Sequence, residues 1–60
     1  MFVELDTRQD AGYRVSLQWE RDTGENQIVV ADRRNASRLA FLVPGTKGGD
    51  AFRHPFRYAP

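Results

Sequence analysis

Apolar and polar residues alternate along the chain from position 13 to position 20. The odd positions are Tyr13, Val15, Leu17 and Trp19, and the even positions are Arg14, Ser16, Gln18 and Glu20. Successive side chains of a β-strand point to opposite faces, so a period of two predicts a strand with one dry face and one wet face. This segment anchors the expected architecture.

Three further strands are predicted around it. A loop at residues 21–26 contains Gly24, which can take the positive φ of a hairpin turn, and it leads into a strand from Gln27 to about Arg33. A turn at residues 35–37 leads into a fourth strand from about Arg38 to Val43. A short first strand runs from Met1 to Leu5 or Asp6, and the polar residues 7–12 form a loop.

The third and fourth strands lack a clearly polar face. Ile28, Val29 and Val30 are consecutive, which favours a strand that is covered on both sides. The residues expected on the nominally wet side are Val29, Ala31, Ala40 and Leu42. A compact apolar patch on a face that should meet water is typical of an association site.

The C-terminal third differs in composition. Pro44 and Gly45 end the fourth strand, and residues 44–49 form a glycine-rich connector. In the aromatic tail, residues 50–60, Asp50 is expected to cap a short helical turn that ends before Pro55, because the residue before a proline avoids the α region.

Together these elements predict one domain, residues 1–60, of mainly β class. It is a small antiparallel four-stranded meander sheet, about residues 1–43, with a short C-terminal helical or irregular segment packed on one face. The expected core is Val3, Leu5, Tyr13, Val15, Leu17, Trp19, Ile28, Val30, Leu39, Phe41 and Phe52, followed by Phe56 and Tyr58.

Size and composition limit the ways in which the folded chain can be stabilised. The chain has 60 residues, no cysteine and one histidine, so neither disulfides nor a structural zinc site is expected. A domain this small is marginally stable unless its aromatic residues pack tightly or it is buried against another subunit. No segment is apolar and long enough for a signal peptide or a membrane span, so we expect a cytoplasmic protein without membrane contact.

Charge is unevenly distributed although the net charge is only +1. Residues 1–32 carry seven acidic and three basic residues, whereas residues 33–60 carry one acidic and six basic ones. Such asymmetry indicates either an anionic partner or, more simply, acidic strands that neutralise neighbouring basic ones within the sheet.

The sequence offers little catalytic equipment. His54 lies between Arg53 and Pro55, and neither Ser16 nor Ser37 is in a context that would activate it, so His54 is interpreted as a packing residue.

Two other groups are interpreted as ordinary surface. Glu20, Asp22 and Glu25 cluster around a hairpin loop, where exposed carboxylates keep ordinary pKa values. Residues 45–49 lack the spacing of a phosphate-binding loop. We therefore expect no enzyme activity, no metal site and no cofactor.

The tail carries a family resemblance. Asp50-Ala51-Phe52-Arg53-His54-Pro55-Phe56-Arg57-Tyr58-Ala59 is similar to the D-A-F-x-H-P-F-x-Y-A ending of short uncharacterised actinobacterial-type proteins. In those proteins a Y-x-V-x-L-x-W-like strand and a hairpin precede the ending, as Tyr13 to Trp19 do here. The glycine-rich connector departs from the more acidic lead-in of that pattern. The resemblance implies a fold and no catalytic residue or ligand.

Two functions remain open. The first is a non-enzymatic protein-interaction module, a homo-oligomer or a subunit of a complex, whose partner is a protein. Its contact would use Val29, Ala31, Ala40 and Leu42 with Arg33, Arg34 and Arg38 at the rim. The alternative is binding of single-stranded RNA or DNA by Arg33, Arg34, Arg38, Arg53 and Arg57, beside aromatic residues that stack on bases.

Overall fold

Four consecutive strands form one antiparallel sheet in the order β1-β2-β3-β4. The computed structural model describes residues 1–60, and its strands are β1 (Phe2–Asp10), β2 (Tyr13–Glu20), β3 (Asn26–Asp32) and β4 (Ser37–Val43). A 3-10 turn (Gly45–Lys47) and two short helices, α1 (Gly48–Arg53) and α2 (Pro55–Tyr58), follow. The predicted meander with a short C-terminal helical segment is confirmed.

The first strand is longer than the sequence indicates. The predicted loop at residues 7–12 is wrong, because β1 continues to Asp10 and turns at Ala11 and Gly12, whose φ values are 48° and 84°. Two successive positive φ values are typical of a two-residue hairpin turn. The polar stretch tolerates a strand because Arg8, on the inner face, meets backbone carbonyls of the tail rather than apolar side chains.

The predicted glycine-rich connector is also wrong, since Gly48 and Gly49 form the first turn of α1. Asp50 lies inside that turn and does not cap it; the N-cap position is Lys47, which makes no capping bond through its side chain. The end of α1 at Arg53, before Pro55, is as predicted.

The core lies between the sheet and α1. Its buried residues are Val15, Ile28, Val30, Val43 and Ala51, with Tyr13, Leu17, Phe41, Phe52 and Tyr58 packed around them. The inward faces of β2, β3 and β4 are those predicted from alternation. Ala51, which the sequence analysis did not place in the core, is fully buried.

Four predicted core residues are exposed instead: Val3 at 37%, Leu5 at 55%, Trp19 at 40% and Phe56 at 61%. Val3 and Trp19 face each other in the β1–β2 register, at a corner of the sheet. Leu5 lies in an irregularity of the ladder between Glu4 and Asp6. These residues have the correct period but lie where the eleven-residue tail provides no cover.

Close backbone packing and hydrogen bonds from Arg8 hold α1 on the sheet. Gly48 lies so close to Asn26 that a Cβ added at Gly48 would be 2.0 Å from Asn26 Oδ1. Arg8 donates to Phe52 O from Nε and Nη2, at 3.1 and 2.9 Å. As a result α1 packs mainly on β2 and β3. On this side of β4, Val43 is buried and Leu39 and Phe41 are half-buried. None of the helices has the length and apolar character needed to cross a membrane.

Candidate interaction surface

The four apolar residues proposed for a contact surface, and Arg38, come together on the sheet face opposite α1, whereas Arg34 lies over the Tyr13 ring on the α1 side. In the β3–β4 register Val29 pairs with Ala40, Ala31 with Arg38, and Gln27 with Leu42. Because side chains alternate, these residues share the face that Ile28 and Val30 do not use. The predicted patch is therefore contiguous.

Exposure within the patch is uneven. Val29 is only 6% exposed although α1 lies on the other face, and it lies between Ser16 and Ala40 on the two neighbouring strands. Leu42 is 52% exposed and Ala40 is also exposed, whereas Ala31 is half-buried. Val29 thus forms the floor of the patch, and the accessible apolar surface lies along β4.

The hydrogen-bonding pattern of β3 determines which residues of β4 direct their backbone N–H and C=O groups away from the sheet. The N–H of Arg33 donates to Gly12 O at 3.0 Å, and that of Glu20 donates to Glu25 O at 2.8 Å. Both pairs extend the β2–β3 register. Hydrogen-bonded pairs alternate with non-bonded ones in an antiparallel ladder. The odd-numbered residues of β3 therefore bond to β2, and the even-numbered ones bond to β4.

It follows that β4 has an open edge, which we define as the outward backbone groups of Arg38, Ala40 and Leu42. Leu39 and Phe41 face even-numbered residues of β3 and direct their N–H and C=O groups to that strand. The intervening residues direct theirs away from the sheet, where no fifth strand follows. No turn, cap or side-chain hydrogen bond reaches them.

The opposite edge of the sheet, β1, is protected. Its ladder is interrupted between Glu4 and Asp6, and the N–H of Thr7 is bonded at 2.8 Å by the Asp6 side chain. Bulges and charged residues are common devices against unwanted strand pairing. β4 has neither a bulge nor a proline, and its one charged residue is Arg38.

Arg33 and Arg34 do not act as a pair. Arg34 lies against Asp32, with Nε 3.1 Å from Oδ1 and Nη2 3.2 Å from Oδ2, and its guanidinium lies 5.1 Å from the centre of the Tyr13 ring. Hydrogen bonding by the Arg34 guanidinium lowers the pKa of Asp32 below its ordinary value. Arg33 instead donates to Gln9 Oε1 at 2.8 Å.

The basic residues proposed for nucleic-acid contacts are divided between the two faces of the sheet. Arg38 lies on the patch face, whereas Arg53 and Arg57 line a cleft of about 460 Å³ on the α1 side. The cleft also contains Phe56, whose ring packs edge-on against Tyr13 at 5.4 Å. A single strand would have to wrap around the molecule to use all five arginines.

Groups that could support catalysis are not assembled. The exposed His54 side chain makes no hydrogen bond to another side chain, and no three His, Asp or Glu side chains are grouped to hold a metal ion. Among the clustered carboxylates, Glu20 binds the N-terminal amino group of Met1 at 2.8 Å. That hydrogen bond lowers the pKa of Glu20.

Comparisons of the chain with protein families, with curated proteins and with solved structures find no match. The resemblance of the tail therefore stays an expectation, and geometry alone carries the functional argument. Sequence reasoning located the patch residues but missed the open edge. The available signal was the stretch from Leu39 to Val43, an uncharged run without glycine or proline in the last strand of a meander.

Proposed function

We propose that this chain is a small non-enzymatic protein-interaction module that binds a strand of another polypeptide along β4. The open edge carries the proposal, because its three N–H and three C=O groups have no partner within the chain. Addition of a strand to a free sheet edge is a recurring mode of peptide recognition, in which main-chain hydrogen bonds supply affinity. A cytoplasmic location belongs to the same proposal.

Side chains beside the open edge supply the specificity in this mode. Leu42, Ala40 and Arg38 project from alternate positions of β4 onto the patch face. Leu42 provides half-exposed apolar surface at one end and Arg38 provides a cation at the other. A partner strand with an apolar side chain or a long aliphatic stem opposite Leu42, and no cation opposite Arg38, would satisfy both.

A matched pair of leucines tests the proposal. Leu42 on β4 and Leu5 on β1 are exposed to nearly the same extent, 52% and 55%, on the two opposite edges. We expect Leu42→Asp to weaken association about tenfold or more, because the partner would desolvate a carboxylate, and Leu5→Asp to leave association unchanged.

The measurement is affinity purification of the wild-type chain and both variants from the native host, with nuclease treatment and quantitative mass spectrometry. A second copy with a different tag is co-expressed, so that self-association is distinguished from capture of another protein. Equal recovery of partners by the Leu42→Asp and wild-type chains would contradict a contact through β4.

One observation favours nucleic-acid binding as a second candidate. Phe56 is 61% exposed and lies in the cleft with Arg53 and Arg57, so an aromatic surface is available for stacking beside two cations. Binding to a single-stranded RNA oligonucleotide should then weaken with added salt, and Arg53→Glu with Arg57→Glu should reduce the salt dependence. Binding that is indifferent to salt would exclude this role.

A further inference from the structure

We infer that the strand that occupies the open edge is β4 of a second copy of this chain, paired antiparallel about a two-fold axis at Ala40. This inference rests on the proposed interaction role of β4 and names its partner. The result is one continuous eight-stranded sheet, with the protected β1 strands at both outer edges.

Backbone geometry restricts such a pairing. Facing residues of an antiparallel pair either both direct their backbone groups toward each other or both direct them away. Only residues of the same parity can therefore face each other, and the two-fold axis must pass midway between the two copies of one residue. Ala40 is the middle residue of β4 (Ser37–Val43), so an axis between the two Ala40 residues pairs the strand over its whole length.

Side chains of β4 fit beside those of a second copy in this register without a steric or like-charge conflict. On the patch face the two Ala40 residues meet at the axis, where two large side chains would collide, and Arg38 faces Leu42 of the second copy. The only charged residue of β4 is thus separated from its own counterpart. On the α1 face Leu39 lies opposite Phe41 of the second copy, and these half-buried side chains would complete each other's cover.

The hydrogen bonds also balance. Arg38, Ala40 and Leu42 are the residues with outward backbone groups, and in this register they face Leu42, Ala40 and Arg38 of the second copy. Each bonded pair exchanges two hydrogen bonds, so the dimer gains about six. A contact one strand long is small for a specific interface, and we expect a dissociation constant on the order of tens of micromolar.

A substitution at Ala40 tests the pairing without disturbing the β3–β4 ladder. The N–H of Ala40 points outward, so Ala40→Pro removes the two hydrogen bonds of the central pair from the dimer and none from the monomer, and proline is tolerated at outward-facing positions of edge strands. Ala40→Ser keeps the N–H and is the matched control. Sedimentation equilibrium from about 5 µM to 1 mM should show a dimer for wild type and Ala40→Ser, and at least about a tenfold weaker dimer for Ala40→Pro.

Amide hydrogen exchange of the wild-type chain gives a second readout that needs no variant. The amides of Arg38, Ala40 and Leu42 should become protected as concentration rises through the dissociation constant, while those of Leu39 and Phe41 stay protected throughout. Protection of the outward amides that does not depend on concentration would overturn the inference. Circular dichroism of Ala40→Pro verifies that it folds, and Leu42→Asp replaces it otherwise.

The outcomes separate the two proposals. A wild-type chain that stays monomeric over the whole range, or an Ala40→Pro variant that dimerises like wild type, would overturn self-pairing. If partner capture by the monomeric chain is still lost in Leu42→Asp, the interaction role stands with a different partner. If capture is also insensitive to Leu42→Asp, both proposals fail.

Discussion

The close contact between Gly48 of α1 and Asn26 of β3 fixes how α1 docks on the sheet. A Cβ at Gly48 would lie 2.0 Å from Asn26 Oδ1 and 2.6 Å from its Cγ, whereas a Cβ at Gly49 would meet nothing within 4 Å. Both glycines belong to the first turn of α1. Gly48→Ala and Gly49→Ala are therefore the same substitution, one residue apart, with opposite expected effects.

The expected changes in the free energy of unfolding follow from this geometry. Replacing a helical glycine by alanine stabilises by about 0.5–1 kcal/mol, and Gly49→Ala should show that gain. Gly48→Ala has the same gain but displaces Asn26, which is 7% exposed and donates to Gln18 O at 3.1 Å. Overpacking destabilises by about 1–3 kcal/mol and a broken buried hydrogen bond by a similar amount, so a net loss of about 2 kcal/mol is expected.

Urea denaturation of wild type and both variants measures these changes. Since a domain of this size rarely exceeds about 3–5 kcal/mol of stability, the Gly48→Ala midpoint should fall by roughly half. Asn26→Ala, which removes the colliding Oδ1, should make a subsequent Gly48→Ala substitution less destabilising. A Gly48→Ala variant as stable as Gly49→Ala would refute the observed docking of α1.

Two further contacts of the tail give predictions. Tyr58 donates a hydrogen bond to Asp50 Oδ2, and this bond lowers the pKa of Asp50 below its ordinary value of 3.8. The resulting stabilisation is present above pH 3.8 and is lost as pH falls through the folded-state pKa, so the difference in melting temperature between wild type and Tyr58→Phe should disappear in acid. The Arg8 guanidinium donates to Phe52 O and lies 5.5 Å from the centre of the Phe52 ring. Arg8→Lys keeps the charge but should lower the free energy of unfolding, measured by urea titration, by about 1–2 kcal/mol. A Lys variant of wild-type stability would show that the guanidinium fork is not needed.

Strand alternation was sufficient to predict the sheet because it is a local property. Period two from Tyr13 to Glu20 and the β-branched run at residues 28–30 set the faces of β2 and β3, and Gly24 marks the turn between them with a φ of 77°. Each of these signals depends on neighbours within a few residues. The four-stranded order followed from short connections.

The full length of β1 and the start of α1 could not be predicted because both depend on distant partners. Arg8 is compatible with a strand only because it reaches carbonyls of α1, 44 and 45 residues away in sequence. Gly48 and Gly49 have low helix propensity, and close approach to Asn26 rather than propensity explains why a helix begins there. Trp19 has the period of a core residue, but it is exposed because the tail does not extend over that corner of the sheet.

The two edges of the sheet differ in how the chain protects them. Only ten of the 60 residues are buried, and α1 packs mainly on β2 and β3. β1 is protected within its own sequence by the irregularity at Leu5 and by the Asp6 side chain on the Thr7 amide. β4 has no such device although its outward face is the more apolar. If both edge strands were exposed to unwanted strand pairing, both would be expected to carry protecting features. The absence of such features on β4 alone therefore supports the proposal that β4 is paired with another strand. Protecting β4 artificially, as Ala40→Pro does, should then remove association while the monomer keeps its fold.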